Sequence, residues 1–163
     1  LNELLNLIEK EKKILKTTVP ITVKISPDIE DENINIISDV LLKHNVEALI
    51  VSNTTDKNRE NLSNINKLEK GGLSGKPLEK RSNELINKFY KILKNKIKII
   101  GVGGVDSGHS AYQKIINGAS LVQIYTGMIY QGPSIATKIS QELINILEKE
   151  GIKNISDIVG SKN

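Results

Sequence analysis

Lys24 places a cation inside an otherwise apolar, β-branched run, ITVKIS over residues 21–26. A charge so placed is costly unless an anion or acceptor meets it, so Lys24 either aims at a ligand's developing negative charge or snorkels from a strand end. Asn53 and Thr54 follow a second apolar run, ALIVS over 48–52. They offer paired donors and acceptors suited to a polar ring or a carboxylate, although a bare Asn-Thr pair also reads as a turn. Gly103-Gly104 follow a third run, IKIIGV over 97–102, and precede a helix. Without Cβ atoms they let backbone N–H groups approach an anion, with a helix dipole behind them; the plainer alternative is a tight turn. Tyr125-Thr126-Gly127 close the fourth run, SLVQIYT over 120–126, and open another helical turn. The histidines carry less: His44 closes a helix, where it suits the C-terminal dipole, and His109 reads as solvated. No paired-carboxylate, Ser-His-Asp or metal-ligand constellation is present, so no general base is assigned.

The elements that must position these residues are a first helix and four strand–helix units. Leu1, Leu4, Leu5, Ile8 and Leu15 lie near helical spacing. Asp31 is the expected N-cap of a second helix whose stripe is Ile34, Ile37, Leu41 and His44. A polar loop leads through Gly71-Gly72-Leu73-Ser74-Gly75 to a helix that turns Leu85, Phe89 and Leu93 inward. Ser107 caps the helix bearing Ala111 and Ile115. Pro133 starts a long helix with Ile135, Ile139, Leu143 and Leu147, closed by Gly151. Strands alternating with amphipathic helices predict a parallel sheet, and strands apolar on both faces predict burial beneath helices. The polar and glycine signals then all fall at the carboxyl edge of the strands, the reactive side of parallel α/β folds. Four units fit either an open doubly wound sheet or half of an eight-stranded barrel. Two N–H-bearing loops on the last two strands are a barrel's usual phosphate grip.

Composition narrows the function classes. The 163 residues suit one compact domain, and 38% hydrophobic with 26% charged residues suits a folded chain. The absence of cysteine excludes disulfides, Cys-ligated metals and a Cys nucleophile within this chain. No apolar run approaches the ~20 residues of a membrane helix, and no signal peptide opens the chain. The net charge of +4 comes almost wholly from dispersed lysines, and aromatics are only 3%, so the basic surface reads as solvated, with no nucleic-acid partner.

Taken in order, VKISPD, SNTT, GGLSGKPL, IIGVGGVDSG, GASLVQIYTGMIYQGP and GIKNISDIVG resemble the C-terminal half of the dihydroorotate dehydrogenases, in particular the quinone-dependent class 2 enzymes. The resemblance implies an α/β fold, a (β/α)8 TIM barrel, of which this chain supplies about the last four βα units. Residues 1–163 then form the C-terminal part of a single FMN-binding barrel domain. It implies oxidation of dihydroorotate to orotate in pyrimidine (UMP) biosynthesis, with electrons passing through FMN to a membrane quinone. Position by position, Lys24, Ser52, Gly75, Gly104, Tyr125 and Thr126 match FMN contacts, and Asn53 and Thr54 match the pair that holds the orotate ring. Tyr125 and Thr126 match residues whose backbone holds the flavin phosphate.

The family's serine base, its first flavin loops and its membrane-binding helices belong to an N-terminal half. The chain, which begins at Leu1 in what reads as mid-helix, is therefore expected to be a fragment that alone neither turns over dihydroorotate nor holds FMN tightly. Peripheral attachment follows from the resemblance, at the cytoplasmic face of a bacterial membrane or at the mitochondrial inner membrane. The alternatives are a class 1 dihydroorotate dehydrogenase or other phosphate-binding βα barrel, and a non-enzymatic half-barrel that binds a phosphate ligand or pairs with itself.

Overall fold

The computed structural model describes residues 1–57, 59–60 and 62–163. Helix α1 (Asn2–Ile14) precedes β1 (Thr22–Ile25), α2 (Asn33–Lys43), β2 (Ala48–Val51), α3 (Glu79–Leu93) and β3 (Lys98–Val102). The chain continues as α4 (Gly108–Ile116), β4 (Leu121–Gln123), α5 (Thr126–Gln131) and α6 (Ile135–Lys149). The four strands pair in parallel and in chain order, β1-β2-β3-β4. A right-handed crossover repeated in one direction returns every helix to the same face, whereas a doubly wound sheet reverses its strand order part-way. Consecutive order is therefore the signature of a (β/α)8 barrel wall, and neighbouring helices touch accordingly, α2 with α3, α3 with α4 and α4 with α6.

The register sets which residues share a face. Ile25, Val51, Gly101 and Val122 form one row, pointing into the helical layer. Leu49, Val51 and Ile99 are buried there with Leu41 of α2 and with Leu85, Ile86, Phe89 and Leu93 of α3. A second cluster joins Ala111 and Ile115 of α4 to Ile135, Ile139 and Leu143 of α6. The preceding row is Lys24, Ile50, Ile100 and Leu121, on the opposite face. Burial on the helical side matches the expectation; on the other side Thr22, Lys24, Leu121 and Gln123 are exposed in these four strands, that being the face a closed barrel turns inward. The strands are also shorter than their apolar runs, since backbone pairing stops where the loops diverge.

Two helix ends differ from expectation or add to it. Asp31 does not cap α2; Glu32 holds that position without a side-chain bond. Lys88 and Arg81 of α3 both reach the Asp31 carboxylate. The Lys88 hydrogen bond, aided by Arg81, holds that carboxyl below its usual range. His44 ends α2 as expected, and its ring also fastens α1: Nδ1 lies 2.7 Å from Glu9 Oε1 and Nε2 2.9 Å from Asn2 Oδ1. His109 is exposed. Ser107 caps α4 in a reciprocal capping box with Ser110, and α6 begins two residues after Pro133.

Phe89 is wholly buried where α3 meets the sheet. Phe89→Ala should cost about 3–5 kcal/mol, through lost transfer energy and the cavity left behind. Urea unfolding followed by circular dichroism checks this as a fall in midpoint with an unchanged slope.

Candidate functional site

The strand ends and the loops that follow them enclose a cavity of about 310 Å³ at the carboxyl edge of the sheet. All eight residues singled out in the sequence line it. Lys24 projects from β1; Ser52, Asn53 and Thr54 follow β2. Gly75 comes from the long loop, Gly104 from the turn after β3, and Tyr125 and Thr126 from the turn after β4. Lys24 is not the buried charge its apolar neighbours suggested. It stands exposed on the uncovered face, and among the described residues it is the only charged side chain lining the cavity. A single cation in a polar cleft favours a ligand carrying negative charge.

Local bonding explains how separate segments reach one place. Asn53 N–H donates to Ile25 O at 2.8 Å, prolonging the β1–β2 ladder, and Asn53 and Thr54 leave the strand without forming a turn. Thr55 and Leu73 exchange backbone bonds of 3.1 and 2.7 Å, which pins the Gly71–Gly75 segment beside them. Asp28 anchors the outside of this crossing, accepting from Thr55 Oγ1 at 2.5 Å and from Asp56 N at 3.0 Å. Thr126 Oγ1 donates to Ser74 Oγ at 2.9 Å, joining the long loop to the start of α5.

Gly104 shows the tightest fit. Its φ of +76° is a left-handed conformation, and a Cβ there would lie 2.4 Å from Glu79 Cβ. The first turn of α3 thus presses the loop from behind and leaves its backbone facing the cavity. Neither Gly103 N–H nor Gly104 N–H donates to another group among the described residues. The dipole of α4, expected to assist them, is already engaged. Ser107 and Ser110 satisfy one another there, and Gly108 N–H donates to Glu142 Oε2 at 2.6 Å. A carboxylate at that end neutralises the partial positive charge an incoming anion would use. The backbone N–H groups left without a partner beside the cavity, among the described residues, are those of Gly103 and Gly104 and, at the start of α5, of Thr126 and Gly127.

Sequence reasoning passed over Ser74 and Gln123, which also line the cavity. Gln123 could have been found as the polar member of an apolar strand. It passed over Lys114 too, which lies in α4 just behind the site. Lys114 is wholly buried, and its Nζ donates to Ser82 Oγ at 3.0 Å and to Asn83 Oδ1 at 2.9 Å. Burial pushes its ammonium down to about 7, with Glu79 opposing and Lys76 reinforcing the shift.

The geometry agrees with known proteins. The dihydroorotate dehydrogenase family model matches residues 2–147. The chain belongs to the dihydroorotate dehydrogenase family. It is 42% identical to the dihydroorotate dehydrogenase (quinone) of Trichodesmium erythraeum, over 100% of this chain and 44% of that protein. With the mitochondrial dihydroorotate dehydrogenase (quinone) of Arabidopsis thaliana the identity is 43%, over 87% of this chain and 31% of that one. The crystal structure of the Eimeria tenella dihydroorotate dehydrogenase in complex with ferulenol superposes with a TM-score of 0.93 at 36% identity, covering 99% of this chain and 47% of that one. The chain thus spans less than half the length of these relatives, and its four strands are a partial barrel. The four βα units read from the sequence are those of a dihydroorotate dehydrogenase barrel.

Lys114 gives this site a measurable pH signature. Its folded value of about 7 lies below the ordinary 10.5, so the unfolded chain binds the extra proton between these values. Stability from this group accordingly rises with pH from about 7 towards 10.5, by at most ~1.4 kcal/mol per pH unit. Lys114→Met should flatten that rise. Urea midpoints of both chains at pH 7, 8 and 9 test it; parallel curves would contradict it.

Proposed function

We propose that this chain forms one wall of the active site of a quinone-dependent dihydroorotate dehydrogenase. Such an enzyme oxidises dihydroorotate to orotate with FMN as cofactor and a membrane quinone as acceptor, in pyrimidine biosynthesis. It works against the membrane that carries the quinone, the cytoplasmic face in a bacterium or the inner membrane in a mitochondrion. The observation that carries this reading is the convergence of Lys24, Asn53, Gly104 and Thr126 on one cleft, in a chain whose relatives bear that name.

The residues present suit FMN. Gly104 is pressed by Glu79 so that its backbone faces the cavity, its N–H and that of Gly103 have no partner among the described residues and can meet a phosphate, and Lys24 is the one charged side chain on the cavity wall among those residues. In this reading Gly75, Gly104, Tyr125 and Thr126 hold the phosphate end, and Ser52 and Lys24 border the ring. When bound, FMN supplies hydride acceptance and onward electron transfer. The Lys24 ammonium stabilises negative charge that develops at the edge of the ring system. Asn53 and Thr54 project into the same cleft and hold the substrate's polar ring in stacking distance, limiting its orientations. Ser52 Oγ donates to Asn53 O at 3.2 Å, and Ser74 Oγ accepts from Thr126. Among the described residues no basic side chain is hydrogen-bonded to either hydroxyl to take up its own proton, so neither is assigned as the proton acceptor.

Titration of the purified chain with FMN, read by quenching of flavin fluorescence, tests the reading. Saturable but weak binding is expected, with riboflavin bound roughly tenfold more weakly or worse because it forgoes charge-assisted bonds to the phosphate. Orotate should tighten FMN binding, since two ligands stacked in one cleft are reciprocally coupled. Asn53→Ala should remove that coupling while leaving FMN affinity within about twofold. Equal binding of FMN and riboflavin, or no effect of orotate, would refute the assignment.

A further inference from the structure

We propose that Lys114 is a positioning residue for the anion-binding turn, holding the ends of β2 and β3 in place through Ser82. This rests on the reading of the cavity as the phosphate-binding site, but the bonding that carries it is present without a ligand.

The side chain of Lys114 runs beneath the sheet across Gly101, where a Cβ would come within 2.8 Å of Lys114 Cδ. A glycine inside a strand weakens it unless another group needs the space, and here the lysine stem does. The amino group ends between two oxygens of α3, Ser82 Oγ at 3.0 Å and Asn83 Oδ1 at 2.9 Å. Ser82, itself fully buried, has one hydroxyl proton and directs it at Val102 O, 2.6 Å away; Val51 O lies at 3.3 Å. Val102 O also accepts from Ser52 N–H at 3.3 Å. A continuous line therefore runs from Lys114 through Ser82 to the carbonyl that joins the last residue of β3 to Ser52. The next residues are Gly103 and Gly104, and Gly104 and Ser52 both face the cavity.

An amino group donating to Ser82 Oγ polarises that hydroxyl and strengthens its bond to Val102 O. A neutral amine does so less than an ammonium, so the turn senses the protonation of Lys114. The charged groups that act on it are Glu79, which favours the ammonium, and Lys76, which opposes it. These two are paired with each other at 2.6 Å, and Lys76 also lies 3.5 Å from Asp106.

The test needs no cofactor. Amide resonances of Ser52, Gly103 and Gly104 are followed by 15N–1H NMR from pH 5.5 to 8.5 in the ligand-free chain. His109→Gln is used as background, which removes the exposed imidazole next to the turn. The three amides should move together with one midpoint near 7. Lys114→Met should abolish the movement while Gly118, beyond the far end of α4, stays unperturbed. Ser82→Ala keeps the lysine but cuts the line, and should uncouple the amides likewise; it decides the matter if the Lys114 variant does not fold. Amides that ignore pH in the background chain, or titrate unchanged in Ser82→Ala, would overturn the proposal. Failure to bind FMN with the amide titration intact would instead overturn only the reading of the site.

Discussion

Parallel pairing in chain order is the constraint on which the remaining structure depends. Because each crossover is right-handed and advances the same way, the helices are confined to one face, and the strands all end at one edge. The register then does the rest: Lys24 stands beside Ile50 and Ile100, and the residues just beyond each strand emerge side by side. Groups more than 100 residues apart in the chain, such as Lys24 and Thr126, share a cleft without any direct bond between them. A one-residue slip in β1 would turn Lys24 into the helical layer and Ile25 out of it. Burial of Ile25, Val51 and Ile99 against α2 and α3 is what forbids that slip.

Element types and their order were legible from apolar periodicity, and so was the inward face of α3, where Leu85, Phe89 and Leu93 are all fully buried. The edge on which the polar residues gather was legible too, because strand ends carry side chains that a buried strand would not tolerate. The burial of each sheet face was less so. Ile50 and Ile100 sit on the side opposite the helices, the face a barrel turns inward, and alternation in such short strands is too brief to tell the two faces apart. The missed cap of α2 has a comparable cause. Asp31 has the chemistry of an N-cap, but Lys88 and Arg81 from a distant helix compete for its carboxylate, and no local pattern announces them.

The glycine turn after β3 shows the same division between local and long-range information. Two glycines after a strand announce close backbone approach, and Gly104 does adopt a left-handed conformation against Glu79. What the local pattern could not disclose is that Glu142 of α6 occupies the N-terminus of α4. Helix termini attract anions from within the chain as readily as from solution, so strand–Gly-Gly–helix is an ambiguous phosphate signal until the helix end is inspected.

Lys114 completes this picture from behind the sheet. A lysine in GHSAYQKII reads as a solvated helix position, and only the glycine within β3 hints that something long passes beneath. Its ammonium loses hydration on burial, so the fold tolerates it only because two α3 oxygens accept its protons. A methionine of similar length would fill the same space without that cost. The polar side chain therefore supplies something packing does not: a directed bond to Ser82, and through it to Val102 O. That carbonyl belongs to the residue before the glycine turn and receives the amide of Ser52, so its position fixes two parts of the cavity wall at once. Rigid placement of backbone donors matters more for gripping a phosphate than their number, because each N–H contributes only when its direction is set in advance.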